Sequence, residues 1–364
     1  MKTIHFSLIF ISFALIPCQN LQAATYIFAG EANGVDVVTH PHGYSGTGGI
    51  LTVTVGIDPT SSNAAAMVIP TQNVIATWNG LVPTLHNVQF GVIAGGQMDF
   101  ESVLLHEMGH SIGLGHVNLA SEAMLADSDD ENYSNTTNGV DNTFNLGIGG
   151  DGVRGSSDDI RGDDVNLNYF RIGVNNPFTL DAIVDSTTYT RDITGGNLPM
   201  GHTFVANADR DVADLLGIDD GNPLTETESV MQQGSFFGEI QRTLGHDDVI
   251  GIRYAMAGLD EIQGTADDYI LNLVFAGLTT SADIVIDFDN TRTGFAVSSS
   301  SGIFLNDDED HLAITTNQIF FNTGFNWHFN DTPIPEPSTY ILLGMIGIGL
   351  AGYWKSQSEK KVCE

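Results

Sequence analysis

The sequence predicts an α/β or α+β protein with a twisted mixed sheet, and two observations carry that prediction. In the first half, apolar residues alternate with the period of a strand and then with that of a helix, in the order strand, helix, strand, helix. Farther on, short alternating apolar runs recur over residues 268–329, which predicts a small β-rich C-terminal part. Whether that part is a separate domain is left open.

Four elements are predicted in the first half. Residues 50–57 (ILTVTVGI) are β-branched and alternate, which is typical of a strand. A helix is expected to open at Pro70, because apolar residues recur behind it at helical spacing. Residues 88–93 predict a short strand, and a second helix is expected from Asp99, its N-cap, to about Ile112.

The middle of the chain changes in composition. Residues 125–200 are rich in Asp, Asn, Gly, Ser and Thr and contain few apolar runs, which predicts an acidic insertion of loops. We therefore expect a main domain over residues 24–257 that includes this insertion, followed by the β-rich part at 258–332.

Both chain ends have the pattern of export signals. Residues 1–23 combine a basic start at Lys2 with a short apolar stretch and small residues, which predicts a secretory signal peptide. The segment 333–364 contains a Pro-Glu-Pro motif at 335–337, an apolar run at 340–354 that predicts a short transmembrane helix, and three lysines. This arrangement resembles the bacterial PEP-CTERM sorting signal. The resemblance implies export to the cell surface or beyond it, through a transient anchor removed by an exosortase-type enzyme; an ordinary C-terminal anchor is the alternative.

The charge of the chain limits its partners. Twelve Lys and Arg stand against 45 Asp and Glu, a formal net charge of −33. Nucleic acid is not an expected partner, because phosphates are bound mainly by Lys and Arg. Divalent cations fit better, since calcium takes carboxylate oxygens. The two cysteines, Cys18 and Cys363, lie in the end segments, so the processed protein would have no disulfide.

One acidic pattern occurs twice and predicts calcium loops. In each copy a glycine allows a tight turn, and three aspartates keep the same spacing around it, so that they can converge on one cation. The alternative is a pair of solvated Asp-Gly turns, because neither copy follows the EF-hand pattern. The six candidate calcium ligands are Asp151, Asp158, Asp159, Asp260, Asp267 and Asp268.

The strongest chemical signal is an H-E-x-x-H motif at residues 106–110. Four residues advance a helix by about 400°, so His106 and His110 project from one face and can share one Zn²⁺. Glu107 lies about 100° round the helix from His106 and can act as a general base without being a ligand.

A third ligand is expected from the residues that follow. His116 can reach the metal only if the chain turns back, and Gly113 and Gly115 allow such a turn. Three histidines would leave one open position, as catalytic zinc sites do. His40 and His42 are a further pattern, either a second metal pair or solvated loop histidines.

The pattern H-E-x-x-H-x-x-G-x-x-H at residues 106–116 resembles the metzincin zinc peptidases, and its Leu-Gly-His ending is similar to the matrixin branch. The resemblance implies a metzincin-like fold and a zinc-dependent endopeptidase that acts on proteins or peptides. It also implies that Glu107 is the catalytic residue, with zinc held by His106, His110 and His116.

Metzincins also place a methionine in a turn beneath the metal. Met231, ahead of an Asp-Asp-Val helix start, is the favoured candidate, and Met124, eight residues after His116, is the other. Two features depart from the family: neither methionine is followed two residues later by Tyr, and no propeptide cysteine precedes the motif. A non-catalytic surface or matrix protein on a degenerate scaffold is therefore the second interpretation, although the intact Glu107 favours the enzyme.

Overall fold

A computed structural model describes most of the predicted body. The described residues are 3–4, 31–32, 35–84, 87–115, 146–147, 160–161, 170–172, 180–190, 225–226, 229–231, 237–288 and 294–334. The chain divides into two compact units, Met1–Asn330 and Asp331–Glu364. Of the second unit, residues 331–334 are described; they are exposed and have no regular secondary structure.

Three helices and eighteen mostly short strands are described. The helices are α1 (Ala64–Gly80), α2 (Phe100–Ser111) and α3 (His246–Met256). The strands are β1 (Thr3–Ile4), β2 (Glu31–Ala32), β3 (Val35–Asp36), β4 (Val38–His40), β5 (Gly49–Ile57), β6 (Val88–Phe90), β7 (Met98–Asp99), β8 (Leu146–Gly147), β9 (Ile160–Arg161), β10 (Phe170–Arg171), β11 (Tyr189–Thr190), β12 (Thr225–Glu226), β13 (Glu239–Gln241), β14 (Tyr269–Leu278), β15 (Ile284–Phe288), β16 (Ala296–Phe304), β17 (His311–Phe321) and β18 (Trp327–His328).

A seven-stranded sheet lies at the centre of the first unit. Its order is β1-β16-β17-β15-β5-β14, with β4 beside β17. The pairs β14–β5, β5–β15, β15–β17 and β17–β4 are parallel, whereas β16 runs antiparallel to β17. The sheet is mixed and mostly parallel, which confirms the predicted α/β class.

The C-terminal strands share this sheet with the first predicted strand. β5 lies between β14 and β15: Ile50 pairs with Ile270, and Val55 pairs with Ile284. The sequence leaves open whether residues 258–332 form a separate domain. These pairings place strands of that segment and strand β5 of the preceding segment in one sheet. Apolar alternation fixes which face of a strand is buried but not which distant strand lies beside it.

The first helix begins earlier than predicted. We expected it to open at Pro70, but α1 runs from Ala64 and contains Pro70 in its interior. Proline there removes one helical hydrogen bond. The first three residues of α1 are alanines, which favour a helix. The next residue, Met67, is fully buried in the core. Packing of this first turn therefore outweighs the proline signal.

The second helix has the predicted bounds. Asp99 is the N-cap of α2, and its carboxylate accepts a hydrogen bond from the Ser102 N–H at 3.0 Å. The guanidinium of Arg242 binds the same carboxylate through two nitrogens, at 2.9 and 2.6 Å. α2 packs against β16, β17 and α1, and Trp78 on α1 donates its indole N–H to the Leu105 carbonyl at 3.1 Å. The helix is thus held at its start and along its side.

Candidate metal centre

His106 and His110 lie one turn apart on α2 with their rings in contact, as the motif predicts. His106 Nδ1 is 2.7 Å from the carbonyl oxygen of Val230, and His110 Nδ1 is 2.7 Å from that of Leu114. A carbonyl oxygen can only accept, so each Nδ1 carries the proton and donates it. In the neutral ring the other nitrogen, Nε2, then has a lone pair.

The two Nε2 atoms face each other at 3.1 Å. Desolvation lowers the pKa of His106 to about 4, and the opposing effect of the Val230 carbonyl is smaller, so this ring is neutral at pH 7. A neutral ring with its proton on Nδ1 presents a lone pair at Nε2, and two such lone pairs facing each other can bind one cation between them. Metal-binding histidines typically donate their second ring N–H to a carbonyl or carboxylate, as both do here.

The geometry of the pair fits one zinc ion. Two nitrogens that each bind a tetrahedral Zn²⁺ at about 2.0–2.1 Å are about 3.3 Å apart. The two rings are nearly perpendicular, at 88°, with centroids 4.7 Å apart, so the nitrogens converge at an angle. His40 and His311 show the contrast: their nitrogens are 3.0 Å apart, but the rings are nearly parallel, at 16°, with centroids at 5.3 Å. Those nitrogens point along one line, as in an ordinary hydrogen bond.

α2 ends in a left-handed turn at the predicted glycine. Gly113 has a φ of 117°, and the Leu114 N–H donates to the Gly109 carbonyl at 2.9 Å. A Cβ at Gly113 would also collide with the Thr39 carbonyl oxygen, so glycine is required there. The predicted third ligand, His116, lies outside the described residues. Within the part that the structure describes, no group of three or more His, Cys, Asp or Glu is placed to hold a metal.

Glu107 is fully buried next to the histidine pair. Neither of its carboxylate oxygens has a hydrogen-bond partner among the described residues. Burial raises the pKa of Glu107 to about 8, and the nearby backbone of Ser298 offsets this only in part. A buried carboxyl without partners is costly, and strongly shifted groups of this kind concentrate at functional sites.

A polar layer lies between α2 and the sheet, close to Glu107. Asn317 on β17 accepts a hydrogen bond from the Ser111 hydroxyl at 2.9 Å and donates from Nδ2 to the Ser300 hydroxyl at 2.7 Å. The Ser298 hydroxyl is 3.4 Å from the same Asn317 oxygen. Sequence reasoning did not identify this layer. The sequence feature that could have indicated this layer is the run of serines in β16, a strand that is otherwise mostly buried.

Met231 packs beneath α2. A Cβ at Gly109 would overlap Met231 Sδ and would lie 3.1 Å from Trp78 Cζ2, so the helix and the methionine are in close contact. The preceding residue, Val230, supplies the carbonyl that orients His106. This placement fits the interpretation of Met231 as the methionine under the metal. Met124 lies outside the described residues, so the choice between the two stays a prediction.

Asp248, near the start of α3, holds this turn. Its carboxylate accepts hydrogen bonds from the Ser229 hydroxyl at 2.6 Å and from the N–H groups of Val230, Met231 and Gly245 at 2.8, 3.1 and 2.8 Å. Burial nevertheless raises the pKa of Asp248 to about 6. Sequence reasoning recognised the Asp-Asp helix start but not this role, which depends on a contact between residues 17–19 positions apart.

Three of the six candidate calcium ligands are described, and they lie close together. The carboxylates of Asp260, Asp267 and Asp268 each have an oxygen near the Thr265 hydroxyl, at 3.3, 2.7 and 3.0 Å. Backbone N–H groups of the same loop also bind these carboxylates, including that of Gly264 on Asp268 at 2.6 Å. Asp151, Asp158 and Asp159 lie outside the described residues. Calcium binding stays a prediction.

His40 and His42 do not form a metal pair. The chain turns at residues 42–43, and the two side chains have different neighbours. His40 is buried against His311, whereas His42 Nδ1 lies 3.1 Å from an Asp283 carboxylate oxygen. The interpretation of these residues as a second metal pair is therefore wrong.

Comparison with known proteins identifies the C-terminal segment. Residues 333–357 match the PEP-CTERM protein-sorting motif, which confirms the predicted sorting signal. The protein is therefore exported with a C-terminal sorting signal, and the motif implies recognition by an exosortase. No curated protein and no solved structure matches the chain. In the described part, no helix is long and apolar enough to cross a membrane, and the predicted span at 340–354 lies outside that part.

Proposed function

We propose that this exported protein is a zinc-dependent metalloendopeptidase. The observation that carries the proposal is the facing pair of Nε2 atoms on His106 and His110, 3.1 Å apart, with both Nδ1 atoms committed to backbone carbonyls. That arrangement suits a shared cation, and imidazole nitrogens suit zinc. His116, six residues beyond His110, is the expected third ligand.

Bound zinc would supply Lewis-acid chemistry, lowering the pKa of water and polarising a peptide carbonyl. The carboxylate of Glu107 takes a proton from the attacking water and returns it to the leaving amine. A cation at the histidine pair favours the ionised carboxyl, which counters the burial that raises its pKa. The carbonyls of Val230 and Leu114 keep each histidine in the tautomer that binds metal.

A non-catalytic surface or matrix protein on the same scaffold is the second candidate. The complete burial of Glu107 favours it, because a general base must reach water. In that case the histidines would bind zinc for stability alone.

One experiment separates the two candidates. The purified protein, its Glu107→Gln variant and the control Glu309→Gln, at an exposed turn residue, are loaded with zinc and incubated with a proteome-derived peptide mixture. We expect new peptide termini from the wild type and the control, and a rate about 10²–10⁴-fold lower for Glu107→Gln. Stoichiometric zinc in all three proteins without new termini from any of them would establish the second candidate instead.

A further inference from the structure

Two buried histidines join a short strand to the central sheet. β4 has three residues, and it pairs with β17 through three residue pairs. His40 is the last residue of β4 and His311 the first of β17, and both are almost fully buried. Nε2 of His40 lies 3.0 Å from Nδ1 of His311. This side-chain hydrogen bond adds a contact between two strands that share little backbone pairing.

The hydrogen bond between the two rings holds a single proton. One of the facing nitrogens donates and the other accepts, whichever tautomers are present. If both rings were charged, both facing nitrogens would carry protons and the hydrogen bond would be lost. Burial lowers the pKa of His40 well below its usual value, and it also lowers the pKa of His311, where the charges of Glu261 and Asp310 oppose it only in part. Both rings are therefore neutral in the folded protein at pH 7.

The two rings have different surroundings. The ring centroid of His40 lies 4.3 Å from that of Tyr44 and 5.8 Å from that of Tyr269. Nε2 of His311 lies 3.7 Å from a carboxylate oxygen of Glu261. A charge on His311 would thus have a partner, whereas a charge on His40 would lie among aromatic rings at a greater cost. The ionisable groups that face the pair belong to Tyr44, Tyr254, Glu261, Asp267, Tyr269 and Asp310.

β4 also touches the turn that ends α2. A Cβ at Gly113 would collide with the carbonyl oxygen of Thr39 and would lie 3.0 Å from its carbonyl carbon, so the two backbones are in close contact. Thr39 precedes His40 in β4 and is fully buried. His116, the proposed third zinc ligand, comes soon after Gly113 in the sequence. A displacement of β4 would therefore remove a support of the turn that leads towards His116.

We propose that the His40–His311 pair is an acid-sensitive lock, which holds β4 on β17 and, through Thr39, the turn at Gly113, and which opens as the pH falls below about 6.5. In the closed form both rings are neutral, whereas in the open form they reach water and titrate at their usual pKa of about 6.5. The open form then binds more protons, so acid favours it. The inference goes beyond the proposed peptidase activity and does not depend on it.

The expected size of the effect follows from this difference in proton binding. Between about pH 6.5 and pH 5.5 the ratio of open to closed form should rise about 5-fold for each histidine that stays neutral when closed. If both histidines stay neutral, the rise should be about 30-fold. The effect is therefore large enough to be measured by hydrogen exchange.

Hydrogen exchange as a function of pH tests the lock. The metal-free full chain, His40→Phe and the control His42→Gln are compared by mass spectrometry between about pH 7.5 and pH 5.5, with each rate corrected for its intrinsic pH dependence. Phenylalanine can keep the ring contact with Tyr44 and cannot be protonated. His42 is a suitable control because it is close in sequence, partly exposed and paired with Asp283 instead.

We expect acid to raise exchange at residues 38–40 and 112–114 about 5- to 30-fold in the wild type and in His42→Gln, without an equal rise in β5. In His40→Phe the rise should be smaller by about 5-fold or more. The comparison between proteins matters at residues 112–114, because His110 beside them is also ionisable. His311→Gln should reduce the rise as well, and it decides the question if His40→Phe does not fold.

Three results would overturn the inference. Equal pH dependence in the wild type and in the variants of His40 and His311 would show that the pair is not the lock. Exchange at residues 38–40 that follows β5 at every pH would show that β4 opens only when the whole protein unfolds. A rise at residues 38–40 without a rise at residues 112–114 would show that β4 does not support the turn at Gly113.

Discussion

Replacing Gly109 by alanine should destabilise the protein, although alanine is ordinarily the better helix former. In an exposed helix the change would stabilise by about 0.5–1 kcal/mol. At Gly109 the new Cβ would overlap Met231 Sδ and would sit 3.1 Å from Trp78 Cζ2 and 3.2 Å from Met231 Cε. Overpacking of this kind costs about 1–3 kcal/mol. Subtracting the helix gain from this cost leaves a net loss of up to about 2.5 kcal/mol, or about 1 kcal/mol at the middle of both ranges, which lowers Tm by about 2–4 °C.

Gly80 is the matched control, because it is also helical but exposed. A Cβ there would meet nothing closer than a Val82 methyl carbon at 3.9 Å. Gly80→Ala should leave Tm unchanged or raise it slightly. Thermal unfolding followed by circular dichroism measures both variants under one set of conditions.

The refuting result comes from a double-mutant cycle. If Met231 causes the cost, Gly109→Ala should be less harmful in the Met231→Ala background by about 1 kcal/mol or more, since the sulfur and methyl are gone. Strict additivity would show that Met231 does not lie against this helix. A Gly109→Ala protein as stable as Gly80→Ala would refute the packing argument entirely.

Four further predictions concern the same centre and the acidic loop. In the metal-free protein, Glu107→Gln should become more stable relative to the wild type as the pH rises from about 4.5 to about 8. The reason is that folding raises the pKa of the Glu107 carboxyl, so its ionisation in this pH range destabilises the folded wild type. Parallel pH profiles of Tm for the two proteins would contradict this. Asp248→Asn should lower the free energy of unfolding by about 1–3 kcal/mol and zinc affinity by about 10–100-fold, measured by calorimetric titration, because one amide oxygen cannot accept all four hydrogen bonds. Asn317→Leu should lower the free energy of unfolding, measured with urea, by about 1–3 kcal/mol, because it leaves buried hydroxyls without a hydrogen-bond partner. The control Thr315→Val should lower it by less, because the Thr315 hydroxyl is only half-buried. Calcium at about 10 mM should stabilise the wild type by about 1–3 kcal/mol for a site of extracellular affinity, and Asp267→Asn should remove most of that gain.

Local sequence determined the features whose cause is local. α2 is such a feature: its N-cap at Asp99 and the turn at Gly113 that ends it each depend on residues a few positions apart. The sequence pattern was therefore sufficient to predict the bounds of α2. The sorting signal at residues 333–357 was also readable, because it is a contiguous motif. The start of α1 could not be predicted in this way, because the burial of Met67 outweighed the local signal of Pro70.

Tertiary structure decided the features that join distant segments. The place of β5 between β14 and β15 depends on pairing across more than two hundred residues, and no period in the sequence encodes it. The support of the histidine pair likewise comes from Val230 and Asp248, and that of α2 from Asn317 and Asn330. The sequence by itself named the chemical groups, His106, Glu107 and His110. Only the fold could supply the partners that orient them, because a hydrogen bond depends on distance in space and not on separation along the chain.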